Sequence, residues 1–93
     1  MKYQEIEKLF QEGYKIIDVR DSSELELLPK LEIAENIALG ELIKHCQENF
    51  KLDSKFALIC RSGMRSQIAF EQLKSEGFSN VINLAGGMLG VEK

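Results

Sequence analysis

Phe56-Ala57-Leu58-Ile59-Cys60-Arg61-Ser62-Gly63-Met64-Arg65 is an apolar run that stops at a cysteine and turns into a cluster of hydrogen-bond donors. Four consecutive apolar residues without helical spacing predict a short buried strand. Residues 65–76 then place Ala69, Phe70 and Leu73 on one helical face, with Gly77 just past the end. A loop that joins a strand to a helix N-terminus points successive backbone N–H groups at one spot. Such a spot attracts anions, because those donors are unsatisfied and the helix dipole adds positive charge. Gly63 allows the backbone to wrap tightly. Arg61 and Arg65 add two fixed charges and planar donor forks suited to oxyanions. A thiol in that field ionises more readily, so Cys60 is the candidate nucleophile. Ser62 and Ser66 are expected to donate to a bound anion or to cap the helix start.

Working outward, the rest of the chain repeats the alternation of strand and helix. Tyr3, Ile6, Leu9 and Phe10 have helical spacing, which predicts a helix over 3–12 ending at Gly13. Tyr14 to Val19 reads as a β-branched strand. Residues 21–24 begin a second helix, with Ser23 and Glu26 fitting a capping box and Pro29 ending the segment. Asn36-Ile37-Ala38 is placed as a short edge strand. Residues 40–50 form a helix whose apolar face carries Leu42, Ile43, Cys46 and Phe50, and Val81 to Leu84 form a last strand. The connections are long enough for helical crossovers. The pattern therefore predicts a three-layer α/β/α domain around a mainly parallel sheet of about four to five short strands. Ligands of such sheets bind at the carboxyl ends of the strands, where Cys60 falls.

The chain has 93 residues, 44% of them hydrophobic, and a formal net charge of −3. That length is read as one domain, residues 1–93, with a compact core. Acids and bases are interspersed, and no basic run tracks a phosphodiester backbone, so nucleic acid is excluded as a partner. No stretch approaches the roughly 20 apolar residues of a membrane helix, and the mixed-charge start is unlike a signal peptide. A cytoplasmic location is expected. Two separated cysteines and one histidine supply neither a disulfide framework nor a tetrahedral metal set, and no cofactor is expected. Cys46 lies on an apolar helix face and reads as a core residue. His45 lies among Lys44, Gln47 and Glu48 and is assigned no role.

Four stretches carry a resemblance to the rhodanese-like, single-domain sulfurtransferase family. They are Ile17-Asp18-Val19-Arg20-Asp21, Ala34-Glu35-Asn36-Ile37, the loop from Cys60 to Ser66, and Leu84-Ala85-Gly86-Gly87-Met88. The resemblance implies that Cys60 takes sulfane sulfur from thiosulfate or a polysulfide, holds it as a persulfide within the loop, and passes it to a thiol or cyanide. Arg61, Ser62, Gly63, Met64 and Arg65 would form the anion-binding loop, with Arg65 closing it. Asp18 and Arg20 match the family's Asp-x-Arg signature and are read, with Ser66, as support. Asp18 is expected to pair with a loop arginine and Arg20 to brace the second helix, a surface ion pair being the plainer alternative for Arg20. A protein could serve as sulfur donor or acceptor.

The segment 29–38 departs from the family's Gly-His-Ile-x-Gly-Ala-x-Asn-Ile-Pro pattern, with Lys30 standing at the histidine position. The tail lacks the family's aromatic residue near Val91. Two rival functions remain. A cysteine-loop phosphatase needs Cys-x5-Arg, whereas four residues separate Cys60 from Arg65 here, giving a smaller ring. A persulfide relay or docking module would keep the same loop without turning over a free donor.

Overall fold

A computed structural model of the chain describes residues 1–92. Four parallel strands form one sheet: β1 (Lys15–Asp18), β2 (Ala34–Asn36), β3 (Lys55–Ile59) and β4 (Asn80–Asn83), in the order β2-β1-β3-β4. Helices α1 (Tyr3–Gln11), α2 (Leu39–Asn49) and α3 (Met64–Ser75) cover it. Side chains alternate across a strand, so a sheet covered on both faces must be apolar at every position. Phe56 to Ile59 of β3 satisfy this requirement, Lys55 at the strand's start being exposed. Phe56 and Leu58 join a cluster with Leu42 and Cys46 of α2 and Ala69 and Leu73 of α3. Ala57 and Ile59 join the opposite cluster with Ile6 of α1. This is the three-layer α/β/α domain the alternation predicts, with α1 on one face and α2 and α3 on the other.

The topology positions the site. β2 lies on one side of β1, and the chain then crosses so that β3 lies on the other. The strand order thus reverses between β1 and β3, the switch point at whose carboxyl side such sheets bind ligands. Asp18 ends β1 and pairs in register with Ile59, immediately before Cys60. By the same alternation, Cys60 at the end of β3 falls in the cluster of Phe56 and Leu58, on the α3 face.

Two local expectations shift. The segment after β1 is a 3₁₀ turn, Ser22–Glu26, and its N-cap is Asp21 rather than Ser23. The Glu24 carboxylate accepts the Asp21 N–H at 2.9 Å, and Leu27 is 92% exposed, so no apolar stripe exists to extend a helix here. The edge strand is Ala34–Asn36, two residues earlier than expected, because Ala38 is already the N-cap of α2. Lys30, at the altered position of this segment, donates its ammonium to the Ala34 carbonyl at 2.7 Å. The cation therefore secures the edge strand from the side.

Candidate active site

Cys60 is 1% exposed, and its Sγ sits in a ring of donors. It accepts the Gly63 N–H at 3.0 Å and the Ser66 N–H at 3.4 Å, and it lies 3.5 Å from Ser66 Oγ. Burial pushes the thiol up. The Ser66 hydroxyl and the N–H groups of Ser66, Gly63 and Ser62 outweigh that effect and hold it below its ordinary value. Gly63 makes the geometry possible. It is the N-cap of α3 with φ 102°, a left-handed conformation that costs glycine little. A Cβ there would also stand 3.0 Å from the Gly86 nitrogen.

The donors are aimed from behind by the tail. The Met88 N–H donates to the Cys60 carbonyl at 2.7 Å, and the Leu89 N–H to the Arg61 carbonyl at 3.0 Å. A planar trans peptide places each C=O opposite the N–H of the next residue. Pulling these two carbonyls toward the tail turns the Arg61 and Ser62 N–H groups the other way. Gly87 makes the approach possible. A Cβ on it would collide with the Cys60 oxygen and stand 2.6 Å from the Arg61 carbonyl carbon and oxygen.

Around this core the arginines divide their duties. The Nη1 and Nη2 atoms of Arg65 reach the Glu24 carboxylate at 2.6 and 2.7 Å. That fork, aided by the Asp21 N–H, holds Glu24 at about 2 against the opposing effect of burial. The same bond raises Arg65 further above its already high value. Arg65 thus ties the loop to the 3₁₀ turn, and an anion entering the loop must share it with Glu24. Arg61, Ser62 and Met64 are exposed at the loop rim, apart from the half-buried Gly63 between them. Among the described residues Arg61 forms no ion pair.

Asp18 pairs with Arg20 and not with a loop arginine. The guanidinium Nη2 lies 2.7 Å from Asp18 Oδ2 with both side chains at most 1% exposed. A surface ion pair is therefore the wrong description. Arg20 Nη1 donates to the Leu28 carbonyl at 2.7 Å, bracing the chain just past the 3₁₀ turn. Asn36 Nδ2 bridges the Asp18 and Arg20 carbonyls. Asp18 and Arg20 thus form a buried ion pair at the carboxyl end of β1. Removing one partner would strand a buried charge, at a cost of about 3–5 kcal/mol.

Glu24 had no signal of its role in sequence, since its partner lies 41 residues away. Asn83, at the end of β4, contacts Ser66 Oγ and is a further site residue. The paired glycines at 86 and 87 were the visible sign of the tail's close approach. A groove of about 740 Å³ lined in part by Tyr3, Leu28, Lys30 and Met88 includes none of residues 60–66.

A parallel α/β domain whose central strand leads into a donor-ringed cysteine has the geometry for covalent catalysis through that thiol. The family described as "Rhodanese-like domain" matches residues 2–93. Among curated relatives, the "Putative sulfur carrier protein YrkF" of Bacillus subtilis (strain 168) is 39% identical over 77 residues, covering 83% of this chain and 40% of that protein. The "Putative sulfurtransferase YtwF" of the same organism is 37% identical over 79 residues, covering 83% of this chain and 72% of that protein. The chain thus spans less than half the length of the first of these relatives. Among solved structures, a rhodanese homolog from the extremely thermophilic bacterium Thermus thermophilus is 30% identical with a TM-score of 0.68, covering 94% of this chain and 93% of that one. A reduced CoADR-RHD protein from Bacillus anthracis is 31% identical with a TM-score of 0.78, over 94% of this chain and 15% of that one. The chain belongs to the rhodanese-like domain family. Among the described residues no helix is long and apolar enough to cross a membrane.

Proposed function

We propose that the domain is a sulfurtransferase that carries sulfane sulfur as a persulfide on Cys60. The observation behind this reading is the ring of donors around a buried Sγ, which favours an anion at that point. Family membership and the names of the two Bacillus subtilis relatives support sulfur as the group moved. With thiosulfate, the Cys60 thiolate attacks the outer sulfur. A new S–S bond forms, the old one breaks, and sulfite leaves with the bonding electron pair. The outer sulfur of the resulting persulfide sits where the loop N–H groups and Arg61 favour negative charge. An acceptor thiolate or cyanide then attacks that sulfur, and the Cys60 thiolate departs. Arg65, held by Glu24, fixes the loop shape and shares the charge of the anionic donor.

A second reading is supported by the bond between Arg65 and Glu24 and by the relative named a sulfur carrier protein. An arginine already engaged leaves Arg61 as the readily available loop cation, which suits a protein-borne persulfide better than a small free oxyanion. The two readings share the Cys60 persulfide and differ in its source. Incubation with thiosulfate and with polysulfide, followed by intact mass, tests them. One added sulfur is expected on wild type and on Cys46→Ser, and none on Cys60→Ser. No added sulfur from any sulfane donor, with hydrolysis of an aryl phosphate instead, would sink both. Added sulfur that is never released to cyanide would favour the relay. Arg65→Ala is expected to slow loading from thiosulfate by about tenfold or more while lowering the unfolding midpoint only modestly. Equal relative losses of loading and stability would overturn its role toward the donor.

A further inference from the structure

Met64, Ile68 and Leu89 are 76%, 47% and 63% exposed, and all three lie in or beside the cysteine loop. Met64 opens α3 directly after Gly63, whose N–H donates to Cys60 Sγ at 3.0 Å. Ile68 follows one turn later on the same helical face. That face is turned from the core, since the buried Ser66, Ala69 and Leu73 lie on the opposite side of the helix. Leu89 comes from the tail, its N–H donating to the Arg61 carbonyl at 3.0 Å. The tail also meets the start of α3, because a Cβ on Gly63 would stand 3.0 Å from the Gly86 nitrogen. Two separate segments thus bring large apolar side chains to the rim of one loop.

The fold has no use for these side chains, and neither has a small anion. Thiosulfate and cyanide are held by charge and by hydrogen-bond donors, to which an apolar rim adds nothing. Exposed apolar residues that gather at one place mark a surface that meets a partner. Methionine and arginine are enriched where proteins touch, and a methionine adapts its shape to what it meets. Arg61 supplies the arginine. It is exposed in the same loop and, among the described residues, forms no ion pair. The complement of this surface is an apolar segment with a carboxylate in it. A second copy of the chain is a poor complement, because a two-fold contact here would crowd two Arg61 charges into one small interface.

We propose that Met64, Ile68 and Leu89 with Arg61 dock a partner protein whose reacting cysteine sits among apolar residues beside a carboxylate. The inference rests on the reading of Cys60 as a persulfide carrier and names the partner class for it. Sulfur passes within the docked pair in either direction. The thiolate of one cysteine attacks the outer sulfur of the other's persulfide, one S–S bond forms and one breaks. The cysteine that gives up its sulfur leaves as a thiolate with the bonding pair, so no oxidant or reductant is consumed.

The test uses the full chain with Cys46→Ser, loaded with sulfur from polysulfide, and three blocked peptides with one cysteine each. In the first the cysteine is flanked by leucines with a glutamate nearby. In the second serines replace the leucines, and in the third lysine replaces the glutamate. The first peptide is expected to take sulfur with a kcat/KM about tenfold above either of the others. Ile68→Gln and Leu89→Gln are each expected to lower the ratio of peptide to cyanide rates by about three- to tenfold. Leu52→Gln is expected to leave that ratio unchanged, since Leu52 is equally exposed but precedes β3 at the other end of the sheet. Equal rates with all three peptides overturn the proposal, and being read on the unaltered surface they decide it even if a variant fails to fold. Dimers in sedimentation that Ile68→Gln dissolves also overturn it, by giving the patch to a second copy. Docking is read separately from sulfur chemistry with the first peptide carrying serine for cysteine, which is expected to slow iodoacetamide alkylation of Cys60 in the unloaded protein. Protection without any loading would sink the persulfide reading and keep the docking surface; loading and release to cyanide without protection would do the reverse.

Discussion

Cys46 and Cys60 lie in the same apolar cluster, and neither is more than 1% exposed, yet their thiols are pushed in opposite directions. Burial raises Cys46 to about 11. Burial acts on Cys60 too, but donors reverse the result. The difference is one of backbone. Cys46 sits inside α2, where N–H groups are spent on carbonyls one turn back. Cys60 sits just before a helix start, where the first N–H groups have no such partners and converge on its sulfur. Depth in the core therefore says little about the reactivity of a thiol. What matters is whether unspent donors face it.

The largest test of this contrast is selective alkylation of the folded protein at neutral pH. Peptide mapping is expected to find Cys60 modified at least about a thousandfold faster than Cys46, with Cys46 labelled only after denaturation. Similar rates at the two positions would break the comparison outright. Gly87→Ala comes next, because its Cβ would push against the Cys60 and Arg61 carbonyls that the tail secures. Its alkylation rate is expected to fall by about tenfold or more, toward that of an ordinary buried thiol, together with a lower unfolding midpoint. Wild-type reactivity in Gly87→Ala would show that the loop aims its donors without the tail.

The smallest effect concerns alkaline stability. The folded-state value of Cys46 is raised, so its contribution is fully present below the ordinary thiol value and is lost as pH rises toward about 11. Cys60 is lowered, so its contribution runs the other way, present above the ordinary value and lost as pH falls through the folded one. Denaturant melts of Cys46→Ala between about pH 9 and 11 are expected to show a flatter loss of stability than wild type. A parallel decline in both proteins would mean that Cys46 does not set the alkaline limit.

The strand, loop and helix around Cys60 were legible because they rest on local rules: an apolar run, a glycine at a left-handed position and a helical stripe. Cys46 was equally plain from its neighbours at helical spacing. The partners of the arginines were not. Asp18 sits two residues from Arg20 and ends the strand beside the one that leads into the Arg65 loop, and like charges on both arginines give sequence no means of choosing. Glu24 reads as part of a helix start, and only the fold carries it to Arg65. Asn83 reads as a polar residue on a short strand until α3 sets Ser66 against it. Residues coupled across 17 and 41 positions leave no trace in a single sequence.

The hold of residues 87–89 on the cysteine loop has a consequence for the order of events during biosynthesis. Residue 60 leaves the ribosome 27 residues ahead of residue 87 (87 − 60), roughly one to five seconds at ordinary rates of translation. Throughout that interval the nascent chain contains the cysteine but not the turn that orients its donors. Its thiol is then expected to behave as an ordinary one, slow toward oxidants and stray electrophiles. Nucleophilicity is expected only once residues 87–89 have taken their place behind the loop.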